Sequence, residues 1–273
     1  INDEGKAAYA EWRDSFVKYD PAGAEKMLDD AGYKKGADGK RTMKDGSKLE
    51  IQVSIGSAEA VPGNEHLSKN ERLVRDWQAI GLDAKLLVLP SEGYDEKWRA
   101  GDIPMKTAWE VGDGPNHLVY ASWVVVDEPD RWAPLHGKGY SLKGTESEKQ
   151  ELDKNPWERS PARINDGEKD AYAPIAEIHK LYDQSKVEPD PMKRHALVWQ
   201  MMKIHVAEGP FFSGTITNPP RIILVRKGLL NVPTREDLLK EGLGGFVNPW
   251  IIPSPAVYDP ETWFWDDPSA HGG

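Results

Sequence analysis

The chain has 273 residues, 38% of them apolar, enough to bury a sizeable core in one large domain or two small ones. It carries 45 acidic against 35 basic residues, a net charge of −10, and no block of five basic residues. A nucleic-acid partner is therefore not expected, because phosphate binding needs a concentrated positive surface. There is no cysteine, which excludes a disulfide scaffold, thiol catalysis and cysteine-ligated metal centres.

The first residues, INDEGKAAYAEW, have neither the basic nor the apolar region of a signal peptide. No apolar run approaches the roughly 18 residues that span a bilayer. Asp20 followed by Pro21 supplies a capping oxygen and a residue with helical φ, which predicts a helix start. Ala24, Met27, Leu28 and Ala31 then recur as one apolar stripe, and Gly32 suits a left-handed cap. A polar, turn-rich stretch, ADGKRTMKDGSKL, leads to Leu49, Ile51, Val53 and Ile55, which alternate as a strand. A helix is expected near 65–80, with Leu67, Leu73, Val74, Trp77 and Ile80 on one side and Gly81 ending it. Leu82, Ala84, Leu86 and Val88 alternate as a second strand. Strand, helix and strand of this length predict a right-handed crossover between parallel strands. A short helix near 92–100 places Tyr94 and Trp98 one turn apart, and Met105–Val111 reads as a third strand.

The middle, roughly 113–170, lacks periodicity and is marked by GDGPN, DEPDRW, HGKGY and NPWERSP. A loop of that length in a compact domain is usually functional. A helix near 171–186 carries Ile175, Ile178, Leu181 and Tyr182. Asp190–Pro191 repeats the earlier start, and its helix runs to about 207 with Ala196, Leu197, Met201 and Ile204 as its stripe. Arg221–Arg226, RIILVR, reads as a buried strand, and 228–273 as an irregular tail.

Five segments taken in order, YDPAGAEKMLDDAGY, LEIQVSI, RDWQAIGLDAKLL, TAWEVGDGPN and DQSKVEPDPMKRHALVWQMMKIHVAEGPFF, carry a resemblance. Together the chain, over about 15–260, resembles the C-terminal lobe of the family 5 extracellular solute-binding proteins. These are receptors of oligopeptide, dipeptide and nickel ABC importers. The resemblance implies an α/β, class II periplasmic-binding-protein-like lobe, with a mixed, partly parallel sheet flanked by helices. It implies a lobe over 1–227 and a tail, 228–273, returning toward a first lobe that lies outside this chain. It also implies capture of a peptide-like solute in an interlobe cleft, delivery to a membrane permease, and a periplasmic or extracellular location with a possible lipid anchor. No enzymatic activity and no cofactor are implied.

In peptide-binding members a Trp at the end of the third strand is followed three residues later by an Asp that pairs with the ligand's α-amino group. Here Trp109 is followed by Glu110, with Gly112 at that spacing and Asp113 one further on. As a turn residue, Asp113 in GDGP needs no ligand. Eleven Trp stand against five Phe, and Trp109, Trp123, Trp132 and Trp157 lie in or beside the aperiodic middle. The expected ligand-binding residues are Trp109, Glu110, Asp113, Trp123 and Trp132, with at least two of the three indoles partly exposed. The Trp richness and the shifted acid keep an oligosaccharide or sugar conjugate as an alternative ligand. The seven histidines include no i, i+4 pair, so no metal site is expected and each is read as solvated or half-buried. No GxSxG, HExxH or phosphate loop is present, and Glu110 with Asp113 as a hydrolytic carboxylate pair on the same lobe is the enzyme alternative.

Overall fold

The computed structural model describes residues 2–107, 121–213, 224–234, 236–237 and 260–271. The chain divides into two compact units, 1–109 with 125–215 and 110–124 with 216–273.

The first unit opens with helix α1, Asp3–Asp14, where the Asn2 side chain accepts the Gly5 N–H at 2.9 Å. Helix α2, Pro21–Asp30, starts as its sequence predicts: Asp20 accepts the Gly23 N–H at 2.9 Å and Pro21 takes the first helical position. Gly32 follows with the expected positive φ. The apolar stripe, however, is not buried. No residue of α2 is buried, and Met27 is 72% exposed.

What holds α2 is polar. The side chain of Arg41 is fully enclosed, and its Nη1 donates to Asp29 Oδ1 and to the Tyr33 carbonyl, each at 2.7 Å. Its Nε donates to the Ile80 carbonyl at 2.8 Å, and Glu25 Oε2 lies 3.9 Å from Nη2. Glu25 and Asp29 are one helical turn apart, so one guanidinium meets both. The Arg41 backbone N–H donates to the Gly81 carbonyl at 2.7 Å. Arg41 therefore joins α2, the turn-rich stretch and the residues that follow the next helix.

Strands β1, Glu50–Gly56, and β2, Asp83–Leu89, are parallel, with Glu50 opposite Asp83 and Gly56 opposite Leu89. Helix α3, Glu65–Ala79, connects them and packs Val74 onto Val53 and Ala84, with Leu73, Trp77, Ile51 and Leu86 around them. Of the expected third strand, Lys106 bridges Ser54 in parallel, and the Ser54 N–H donates to the Met105 carbonyl at 2.9 Å. Residues 108–111 lie outside the described residues. Helix α4, Tyr94–Arg99, buries Trp98, and the Tyr94 hydroxyl donates to the Ser54 carbonyl at 3.0 Å.

The middle is more regular than its sequence. It holds helix α5, Pro134–Ser141, and 3-10 turns at Ala121–Trp123, Glu146–Lys149 and Pro156–Glu158. HGKGY, read as loop, is the body of α5. A Cβ at Gly137 would lie 2.2 Å from the Glu128 carbonyl oxygen, and one at Gly139 would lie 2.0 Å from that of Ile164. Bare backbone, not apolar side chains, makes these contacts, so no hydrophobic period marks the helix.

Helix α6, Ala173–Val187, buries Ile175, Ile178 and Leu181 as expected. Helix α7, Pro191–Glu208, starts on Asp190, which accepts the Met192 N–H at 2.8 Å. Its buried residues are Val198, Trp199, Met201, Met202 and His205; Ala196, Leu197 and Ile204 are only half-buried. The displaced stripe follows from α7 packing on both α1 and α6, which covers a broader face than one partner would.

In the second unit, β3, Leu229–Leu230, pairs antiparallel with β4, Phe264–Trp265, and a helical turn follows at Pro268–His271. The tail read as irregular thus carries a small ladder. The buried strand expected at Arg221–Arg226 is not formed over 224–226, where Leu224 is 91% exposed. Among the described residues no strand pairs with this backbone, and without a ladder an apolar run stays out of the core. Residues 221–223 lie outside the described residues.

Replacing Arg41 by Met should lower unfolding free energy by about 2–4 kcal/mol, because the part-buried carbonyls of Tyr33 and Ile80 and the Asp29 carboxylate lose their donor. Urea denaturation should show a lower midpoint with an unchanged slope.

Candidate functional site

Trp109, Glu110 and Asp113 lie outside the described residues. Trp123 is 6% and Trp132 is 4% exposed, which corrects the expectation of partly open indoles at these two positions. The cause is clear for Trp132. It stacks on Phe211 with centroids 4.9 Å apart and planes 7° apart, and meets His205 edge-on at 5.3 Å. Trp12 reaches His205 at 5.6 Å and Phe212 at 6.3 Å. Helices α1 and α7, Trp132 two residues before α5 and the chain after α7 thus build one aromatic core in the first unit. Trp123 closes the 3-10 turn Ala121–Trp123, where the Val124 N–H donates to the Ala121 carbonyl at 2.9 Å. Trp157, also from the aperiodic middle, is the open indole at 56% exposure.

Where the chain leaves the Ser54–Lys106 bridge, a ring of charges gathers in the first unit. The Lys106 ammonium lies 4.5 Å from the centre of the Trp98 ring, 5.9 Å from that of Tyr94 and 3.9 Å from Asp95 Oδ1. Burial lowers its affinity for a proton. Arg99 Nε bonds to Asp130 Oδ1. Glu128 Oε2 accepts the Asp130 N–H at 3.3 Å, and its Oε1 lies 3.6 Å from Arg131 Nε. Burial, and next the neighbouring Asp130 carboxyl, push the Glu128 carboxyl up to about 7. Helix α4 supplies Asp95, Trp98 and Arg99, while the close approach at Gly137 fixes the Glu128 backbone against α5.

The sequence reading did not single out Lys106, Arg99, Glu128 or Asp130. The available signal was DEPDRW, three acids and an arginine within six residues, directly before the buried Trp132. Three histidines read as solvated or half-buried, His66, His179 and His205, are in fact buried. Their apolar ring faces fill the interior, and the nitrogens of His179 are answered locally, as shown below.

The crossover unit flanked by helices defines a lobe of periplasmic-binding-protein type. Across 98% of its length the chain is similar to an oligopeptide-binding protein, OppA, with a TM-score of 0.60 and 18% identity, and covers 37% of that protein. A weaker likeness is to a mannohexaose-bound periplasmic oligopeptide-binding protein from Thermotoga maritima, with a TM-score of 0.49 and 17% identity over 73% of this chain and 31% of that one. No curated protein matches the chain. Residues 2–130 match the family model described as bacterial extracellular solute-binding proteins, family 5 middle.

Two outcomes follow from this geometry. Replacing Trp132 by Ala should cost about 3–5 kcal/mol in urea unfolding, as expected for a large aromatic removed from a packed core. Glu128 has a folded value above its ordinary 4.5, so its protonated form favours the fold. That contribution is complete below about 4.5 and is lost as pH rises through about 7. Glu128→Gln should therefore leave the melting temperature nearly unchanged at pH 4 and raise it at pH 8. A lower melting temperature for the variant at pH 8 would refute this.

Proposed function

We propose that the chain is part of the solute-binding component of an ABC importer, capturing a peptide-like solute in an interlobe cleft and delivering it to a membrane permease. The observation that carries this reading is the family match of residues 2–130, supported by a fold likeness that spans nearly the whole chain. The chain covers 37% of OppA, so the complete receptor would contain a further lobe that closes on the ligand. In this reading residues 1–227 form one lobe and 228–273 return toward the other. Trp109, Glu110 and Asp113 contact the solute, with Asp113 meeting a ligand ammonium. Trp123 and Trp132 are buried and serve packing, not solute contact.

The role is capture and release without covalent chemistry, in the periplasm or at the cell exterior. No described helix is long and apolar enough to cross a membrane. A peptide-like ligand is preferred to an oligosaccharide because sugar recognition uses open indole faces, and two of the three expected ones are buried.

Calorimetry on the two-lobed receptor tests this. Di- to pentapeptides should bind, while the 273-residue chain alone should give little heat because half a cleft encloses no ligand. Binding of oligosaccharides without peptides would favour the alternative ligand. Micromolar peptide binding to the 273-residue chain alone would contradict the two-lobe account.

A further inference from the structure

We infer that His179 is a buried imidazolium that positions the segment 125–130, and with it the Glu128 and Asp130 carboxylates, against helix α6. The ring is fully enclosed. Nδ1 lies 2.8 Å from Asp166 Oδ1, and Nε2 lies 2.9 Å from the Val126 carbonyl oxygen. A carbonyl accepts only, and an ionised carboxylate accepts only, so both ring nitrogens must donate. A neutral imidazole has a single N–H and would set a lone pair against one of the two oxygens. A buried imidazolium needs a counter-charge, which Asp166 supplies. Tyr140 stacks on the ring at 4.3 Å and 29°, presenting the face of its π system to the cation.

The other charged groups around it are already engaged. From α5 and the residue two beyond it, the Tyr140 hydroxyl donates to Asp183 Oδ1 at 2.5 Å, and Lys143 pairs with Asp183 Oδ2 at 2.7 Å. From α6 itself, Lys186 donates to the Tyr140 hydroxyl at 2.6 Å, and Tyr182 lies beside Tyr140 at 6.1 Å. Asp127 faces Tyr182 and Tyr140 from the positioned segment. His136, on α5, accepts the Tyr172 N–H at its Nε2 at 3.2 Å. Burial first, and the positive charge of His179 second, hold it down to about 4, so it stays neutral. Asp166 is therefore the base best placed to keep His179 charged.

The consequence is positional. Val126 lies two residues before Glu128 and four before Asp130, so the bond to Val126 anchors the stretch that carries both carboxylates. Loss of the His179 proton would break one of its two bonds. If the bond to Val126 is the one lost, the start of the segment keeps Asp127 N–H to the Val125 carbonyl at 3.0 Å, while Asp130 stays tied to Arg99.

The experiment uses the full 273-residue chain labelled with 15N. The histidine ring nitrogens are observed from pH 5 to 9, together with exchange of the Asp127 and Asp130 amides. Both His179 nitrogens should carry protons at pH 7. Where the ring does deprotonate, protection of the two amides should fall with it. His179→Phe, which keeps the stacking and removes both donors, should speed their exchange by about tenfold or more. A singly protonated His179 ring at pH 7 in the folded chain overturns the inference. So does unchanged amide exchange in His179→Phe. Should that variant fail to fold, the ring measurement on the unaltered chain still decides.

Discussion

The guanidinium of Arg41 is the constraint around which the α/β part is organised. Five donors in a rigid plane let one side chain satisfy Asp29 and the carbonyls of Tyr33 and Ile80, groups that belong to two separate stretches of chain. A lysine at this position would offer a single point charge and could not span them. The neighbouring Asp83 carboxylate, nearly enclosed at the start of β2, accepts Lys40 at 2.8 Å and lies 3.3 Å from Lys48. Cations from the turn-rich stretch are thus drawn onto the start of the crossover from both sides. This explains why α2 is firmly placed although its apolar stripe faces water. Its attachment runs through Glu25 and Asp29, one turn apart, and not through Met27.

The same device recurs in the middle of the chain. Arg163 is fully buried and donates to the Pro161 carbonyl at 3.0 Å and to that of Gln150. Arg159 donates to the Arg163 carbonyl at 3.2 Å and to Glu168 at 2.7 Å. Asn165 donates to the Glu148 carbonyl at 3.0 Å. Carbonyls that would otherwise seek ladder or helix partners are met by long side chains instead. The segment is ordered by polar satisfaction and by backbone contact at Gly137 and Gly139, and α6 and α7 supply the apolar mass beneath it.

This contrast sets how much could be read from the sequence. Where one face is apolar and the other is not, the period reports the element. Leu49 to Ile55, Leu82 to Val88 and the helix between them were legible, down to the parallel pairing. The Asp-Pro starts at Asp20 and Asp190 were legible because the capping chemistry is local. Helix α5 was not, since glycines carry its contacts and leave no hydrophobic trace. The stripe of α7 was misplaced because two helices bury it at once. Leu224–Arg226 misled because an apolar run signals a strand only if a neighbouring strand receives it, and none does among the described residues. The candidate site was the least legible part: a tryptophan in a loop looks the same in sequence whether it stacks on a ligand or, like Trp132, on Phe211.

The charges near Lys106 show why such a site is hard to recognise from composition. Arg99 is answered by Asp130, Lys106 by Asp95 and two aromatic faces, and Arg131 by Glu128. A set of charges so compensated offers a ligand little net attraction, because each is already desolvated against its partner. Its physical effect is to fix backbone positions where the chain leaves the Ser54–Lys106 bridge. The Trp109–Asp113 stretch follows this charged frame in sequence and lies outside the described residues. The frame in turn is held by the bond from His179 to Val126 and by the bare surface of α5 at Gly137. Buried polar groups of this kind contribute little net stability compared with apolar ones of equal volume. They do specify a single arrangement, because each donor has its acceptor in a set place, and that uniqueness is what they add beyond stability.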